Sequence, residues 1–155
     1  MSHPGTRRKG LVRRVARRSI KPENIMFRAD GSLAIVDFGI AKILTENNSV
    51  TQAGHILGTP YYLSPEQARG EPLDGRSDLY SAGVTLYEML AKRRPYTAST
   101  PMALLHQHLD APIPRLPAGL EPYQELVDVL MAKNREDRFE NAKQLRDYLE
   151  PLLAA

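Results

Sequence analysis

The chain has 155 residues and no cysteine. That excludes disulfide staples, thiolate metal sites and a cysteine nucleophile, and it fits a reducing compartment, so the cytoplasm is the expected location. No run approaches 18 apolar residues, so no transmembrane helix is predicted. The first eighteen residues hold no acid and seven bases: Arg7, Arg8, Lys9, Arg13, Arg14, Arg17 and Arg18. They also lack the long apolar stretch and small-residue cleavage site of a secretory signal. The rest of the chain carries fourteen basic residues against eighteen acidic ones, so the high pI belongs to an arm and not to the body. With 42% apolar and 25% charged residues, the composition is that of a globular chain, which excludes a collagen-like, coiled-coil or wholly disordered one. Length alone argues for one domain.

The arm has two faces at helical spacing, Leu11, Val12, Val15 and Ala16 against Arg13, Arg14, Arg17 and Arg18. Such a face could touch anionic lipid or a nucleic-acid backbone. Its apolar side is short, with one large residue among four, so residues 1–17 are expected to be a solvated, disordered basic arm. Two short strands follow, Ile25–Phe27 and Leu33–Val36, separated by an Asp30-Gly31 turn signal. Residues 40–63 read as a long polar loop of the kind that carries function. Helices dominate afterwards. Asp78–Leu90 has Leu79, Ala82, Gly83, Leu86, Tyr87 and Leu90 at helical spacing and few charges, so it should be buried on most sides. Lys92 to Pro95 stops it. Further helices are predicted over Pro101–Leu109, Tyr123–Ala132 and Asn141–Leu152, the last turning Leu145, Tyr148, Leu149 and Leu152 inward.

Two short motifs flank the hairpin. Lys21-Pro22-Glu23-Asn24 precedes it and Asp37-Phe38-Gly39 comes after it. A hairpin brings its ends together, which sets Asn24 beside Asp37 with Lys21 near both. An amide oxygen, a carboxylate and an ammonium suit a magnesium-bound polyphosphate, because magnesium takes hard oxygen ligands and the lysine offsets charge on a transferring group. Taken alone, Asp-Phe-Gly is as well read as a turn after a strand.

Three more pieces occur in order: Gly58-Thr59-Pro60-Tyr61-Tyr62-Leu63-Ser64-Pro65-Glu66, then Ser77-Asp78-Leu79-Tyr80-Ser81-Ala82-Gly83, then Arg135-Glu136-Asp137-Arg138-Phe139. Together with the first two, this order and spacing resemble the large, C-terminal lobe of bacterial, eukaryotic-like serine/threonine protein kinases, from about Arg18 to Leu153. The resemblance implies a mainly α fold with a short β-hairpin, and an organisation of a basic arm (1–17) followed by a partial kinase domain (18–155). It implies ATP and magnesium as cofactors and protein serine or threonine as acceptor. Asp37 and Asn24 match the two magnesium-binding residues, and Lys21 matches the catalytic-loop lysine near the γ-phosphate. Gly58 and Thr59 match the ledge where the substrate hydroxyl docks. Glu66 matches a glutamate that pairs with a later arginine, here Arg138; without the resemblance they read as two surface charges. Asp78 matches an aspartate that accepts hydrogen bonds from the catalytic-loop backbone. Thr45, Ser49 and Thr51 fall in the matching activation segment as candidate phosphorylation sites, where Arg18 could grip a phosphate.

The pattern also departs from the family. Its His-Arg-Asp catalytic loop matches Arg17-Arg18-Ser19 here, so a serine stands where the aspartate orients the hydroxyl and takes its proton. A positioned acid–base group contributes about 10²–10⁴-fold. The small lobe's glycine-rich loop, strand lysine and helical glutamate have no counterpart in residues 1–18, so the expectation is a chain without a small lobe, the product of a truncated or frame-shifted gene. Expected, then, is an inactive, kinase-like fragment that self-associates through exposed apolar surface. The other readings are a non-catalytic, pseudokinase-like binding module and a binder of nucleic acid or anionic membrane through residues 1–18.

Overall fold

The computed structural model describes residues 20–36 and 59–154. The basic arm, Ser19, the stretch from Asp37 to Gly58 with Thr45, Ser49 and Thr51, and the C-terminal Ala155 lie outside the described residues.

Strands β1 (Ile25–Phe27) and β2 (Leu33–Ile35) pair antiparallel, with Ile25 opposite Ile35 and Phe27 opposite Leu33. Their turn is closed by its own side chains. Asp30 Oδ1 accepts from the Ser32 amide at 2.9 Å and from its hydroxyl at 2.6 Å, and Gly31 takes φ 81°, a left-handed conformation that costs glycine nothing. Both faces of this hairpin are open, and Phe27 is 72% exposed.

Among the described residues five helices follow in sequence: α1 (Pro65–Ala68), α2 (Gly75–Ala91), α3 (Pro101–Asp110), α4 (Gln124–Leu130) and α5 (Ala142–Leu153). Helix α1 has no periodic signal in the sequence. It is one turn held by a capping box, in which Ser64 and Gln67 each accept from the other's backbone amide, with Pro65 opening the turn. Helix α2 starts three residues before the predicted Asp78, because the Asp74 carboxylate caps the Arg76 amide at 2.8 Å. It stops where Lys92 turns left-handed at φ 59°. Thr100 and Asn141 cap α3 and α5 in the same way. Helix α4 is shorter than predicted at both ends, since Glu121–Tyr123 is a 3₁₀ turn and the helix closes at Leu130. The inward assignment of Leu152 is also corrected. It is 53% exposed, because α5 reaches past the surface that Leu145, Tyr148 and Leu149 cover.

The core lies around α2. Tyr80, Val84 and Tyr87 pack with Tyr96, Leu104, Val127 and Met131, and Leu79 packs with Leu126, Leu130 and Phe139. Helices α2 and α4 approach closely at Gly83, where a β-carbon would sit 2.7 Å from Leu130 Cβ. The described residues are therefore mainly helical with one two-stranded sheet. No described helix is long and apolar enough to cross a membrane.

Candidate active site

The hairpin holds the first half of the site. Pro22–Asn24 forms a 3₁₀ turn in which the Asn24 amide donates to the Lys21 carbonyl at 2.9 Å. Asn24 is buried, and its carbonyl accepts from the Val36 amide at 2.7 Å. The strand that leads to Asp37 is thereby brought against Asn24, as expected of a hairpin whose ends meet. Asp37 itself lies outside the described residues, and so does Ser19. Lys21 is half-buried one turn before Asn24. Among the described residues no cluster of three metal-binding side chains occurs.

Helix α2 supports this turn from below. Thr85 Oγ1 reaches the Ile20 carbonyl at 3.5 Å. Asp78, in the first turn of α2, lines with Ile20 and Leu79 a cavity of about 660 Å³ that runs to Asn141 at the start of α5. The residue that resemblance ties to the catalytic-loop backbone thus lies on the same cavity as the first described residue of that loop.

The second half is the segment from Thr59 to Glu66. Thr59 is exposed and its carbonyl accepts from the Tyr61 amide at 2.9 Å; Gly58 lies outside the described residues. Helix α2 grips the two tyrosines beyond Thr59. Ser81 Oγ donates to the Tyr62 carbonyl at 2.7 Å, and the Tyr62 hydroxyl donates to Glu88 Oε2 at 2.6 Å. Arg94 lies 3.6 Å above the Tyr61 ring and 3.6 Å from Glu88. Burial and the Glu88 carboxylate both push the Tyr62 hydroxyl far above its ordinary range, so it stays a donor.

At the far end Glu66 and Arg138 meet as a buried, two-pronged ion pair, with 2.6 and 2.9 Å bonds. All five guanidinium donors of Arg138 are used: the remaining three bonds go to the carbonyls of Ala132, Arg76 and Lys133. Ser77 Oγ adds a 2.7 Å bond to Glu66. Burial pushes the Glu66 carboxyl up, but the bonds from Arg138 and Ser77 outweigh it and hold it below the usual carboxylate range. The carboxylate is therefore charged and fully paired in neutral solution.

One buried polar group carries no motif and is not predicted from the sequence. His108 on α3 is enclosed by the rings of Tyr80 and Tyr96, and Lys133 Nζ donates to the Tyr96 hydroxyl at 2.9 Å and to the Gln107 carbonyl at 3.1 Å. The signal that could reveal it is position: His108 falls one turn after Leu104, on the apolar face of α3. Ser77, Ser81 and Glu88 likewise read in the sequence as helix residues and not as partners of the 59–66 segment.

The protein kinase domain family model matches residues 12–148. A serine/threonine-protein kinase PknB of Mycolicibacterium smegmatis is 42% identical over 137 residues, covering 85% of this chain and 22% of the relative. PknB of Mycobacterium tuberculosis is 41% identical over 140 residues with the same coverage, and PknL of that organism is 42% identical over 139 residues, covering 87% of this chain and 34% of the relative. The chain thus spans about a fifth to a third of the length of these curated relatives.

Proposed function

The chain belongs to the protein kinase family, and we propose that it forms the large lobe of a bacterial serine/threonine kinase in which phosphoryl transfer is lost. Bound ATP with magnesium would supply the transferable γ-phosphoryl group. The donor set fits such a group in its chemistry: the Asn24 amide oxygen and the Asp37 carboxylate are hard oxygen ligands, and Lys21, three residues before Asn24, would add a positive charge. The observation that supports this reading is the 2.7 Å bond between the Val36 amide and the Asn24 carbonyl, because it brings the residue before Asp37 in sequence against Asn24. Thr59 and Gly58 would form the ledge for an acceptor hydroxyl. Glu66 and Arg138 would fix the end of that segment on the helical base, and Asp78 would order the backbone around Ile20.

Loss of transfer follows from Ser19. A serine hydroxyl is neutral at pH 7 and accepts no proton from an acceptor hydroxyl, so the about 10²–10⁴-fold of a positioned base is forfeited. Thr45, Ser49 and Thr51 remain the proposed phosphate acceptors of the segment between Gly39 and Gly58. The open hairpin, with Met26, Phe27 and Leu33 exposed, supports association between copies of the chain, which light scattering across a concentration series would register.

Phosphotransfer and nucleotide binding test the reading separately. The purified chain is expected to leave an acceptor protein unlabelled by radioactive ATP, and labelling would overturn the inactive assignment. Magnesium-dependent thermal stabilisation by ATP is expected to be small and to vanish in Asn24→Ala. A stabilisation that survives this substitution would remove Asn24 from the site.

A further inference from the structure

Helix α2 ends where Lys92 turns left-handed, and three bases follow one another there, Lys92, Arg93 and Arg94. Lys92 and Arg93 are exposed, whereas Arg94 lies over the segment after Thr59, its guanidinium carbon 3.6 Å from the centre of the Tyr61 ring. A guanidinium donates in its own plane, so a contact through its face spends none of its five donors. The ion pair with Glu88 spends little more. Arg94 Nε is 3.6 Å from Glu88 Oε1, beyond hydrogen-bond length, and this buried Nε has no hydrogen-bond partner among the described residues. Arg138 is the contrast, with all five donors used.

The charges in this stretch do not cancel. Thr59 to Pro65 carry no charge, and Glu88 is the only acid between Asp78 and Asp110. Glu88 is already engaged, since its Oε2 accepts the Tyr62 hydroxyl at 2.6 Å. Glu23 also acts on Tyr62, but it is exposed, and water and salt screen it. One engaged carboxylate thus stands against three bases, and the Arg94 side chain keeps 33% of its surface open. Neutralising Glu88 would need only an ammonium. A planar fork, stacked flat and with donors unspent, suits a second carboxylate. Thr59 belongs to the same turn, because its carbonyl accepts from the Tyr61 amide at 2.9 Å. An extended peptide advances about 3.5 Å per residue, so the near neighbours of a hydroxyl docked at Thr59 come within reach of Arg94.

We propose that Arg94 is a specificity-determining residue: stacked on Tyr61, it offers the edge of its guanidinium to a glutamate or aspartate side chain close to the docked hydroxyl, so the partner of this surface is an acidic peptide segment. The inference rests on the reading of Thr59 as the acceptor ledge and names the class of acceptor. Glu88 and Tyr61 then hold the guanidinium in place from its edge and its face, and the partner's carboxylate takes the donors they leave.

The test uses the full chain without nucleotide. Two fluorescein-labelled peptides, each a serine flanked by glutamates or by the isosteric glutamines in a glycine–alanine sequence, are titrated by anisotropy at low salt. The glutamate peptide is expected to bind about fivefold tighter, the effect of one partly exposed charge-assisted pair. The ratio is expected to fall to about one in Arg94→Met and to survive in part in Arg94→Lys. Equal binding of the two peptides, or binding of neither, would overturn the proposal. So would a preference undiminished in Arg94→Met, which would assign it to Lys92, Arg93 or the basic arm. Should Arg94→Met not fold, the unsubstituted ¹⁵N-labelled chain decides: the Tyr61 amide resonance is expected to move with the glutamate peptide and not with the glutamine one, and a resonance that moves with neither rejects the role. A third peptide, with alanine in place of serine, separates the two readings. If it binds as tightly and depends equally on Arg94, the acidic grip stands and the ledge falls.

Discussion

Glu66 and Arg138 stand 72 residues apart in sequence and face each other two-pronged in the interior, Oε1 to Nη1 at 2.6 Å and Oε2 to Nη2 at 2.9 Å. The pair ties α1, at the end of the 59–66 segment, to the turn that precedes α5. Its strength lies in complete satisfaction, since the arginine spends all five donors and the carboxylate also accepts from Ser77. Removing one partner leaves a buried charge. Arg138→Met is expected to lower the unfolding free energy by about 3–5 kcal/mol. Glu66→Gln/Arg138→Met, which removes both charges, is expected to be the less damaged protein. Urea denaturation of the two variants checks this, and a double variant as unstable as the single one would contradict it.

Acid should weaken the fold in two steps with different owners. Unfolded His108 takes a proton near 6.5, whereas the buried ring resists until about 4. Between those values the unfolded chain binds the extra proton, so stability falls as pH falls. The Glu66 carboxyl titrates near 4.5 when unfolded and lower when folded, so its contribution is full above 4.5 and is lost below that as pH drops through the folded value. His108→Gln is expected to flatten the first step and leave the second. Denaturation midpoints across a pH series would show it, and an unchanged slope between 6.5 and about 4 in His108→Gln would reject the assignment.

Gly83 sets how closely α2 and α4 approach. A β-carbon there would lie 2.7 Å from Leu130 Cβ, 2.9 Å from Met131 Cγ and 3.2 Å from the Leu130 backbone carbon. The last of these cannot swing aside, so the helices must separate. Ala gains about 1 kcal/mol over Gly in a helix interior, against an overpacking cost of about 1–3 kcal/mol. Gly83→Ala is expected to be net destabilising by about 1 kcal/mol in a denaturation series, opposite to the effect of the same exchange on an exposed helix.

Much of this architecture can be read from residue spacing, and the departures have a common cause. The hairpin and the helices with long apolar stripes follow from period-2 and period-3.6 patterns. The start of α2 lies outside its stripe because a capping side chain, Asp74, extends a helix beyond its apolar residues. Helix α1 is invisible to periodicity because one capped turn has no period at all. Leu152 is exposed although its stripe points inward, since a stripe says which face is apolar and not how far the covering surface extends. In the site, motif spacing names Lys21, Asn24, Thr59, Glu66, Asp78 and Arg138. The residues that hold those in place are serines and tyrosines whose partners lie 11 to 26 positions away, a separation that local patterning does not encode.

Lys133 makes the alkaline side informative. Its half-buried ammonium donates to the Tyr96 hydroxyl and the Gln107 carbonyl and lies 4.5 Å from the centre of the Tyr96 ring. Burial lowers its pKa from 10.5 to about 8; Asp110 opposes the shift and the Arg138 charge adds to it. Between about 8 and 10.5 the unfolded chain therefore keeps a proton that the folded chain has lost, and stability rises with pH. The buried tyrosines act oppositely. Burial raises Tyr80 and Tyr96, so above 10, where unfolded tyrosine ionises, the folded chain holds the extra protons and stability falls. A maximum is expected between about 8 and 10, approached from below with a slope of up to one proton per molecule. Lys133→Met, which keeps the stem and removes the charge, is expected to abolish that rise and to retain the fall above 10. The Tyr96 hydroxyl would still donate to the Ala111 or Pro112 carbonyl, so no buried donor is orphaned. Urea titrations at closely spaced pH values measure the slope directly, and a rise that survives in Lys133→Met would show that another group carries it.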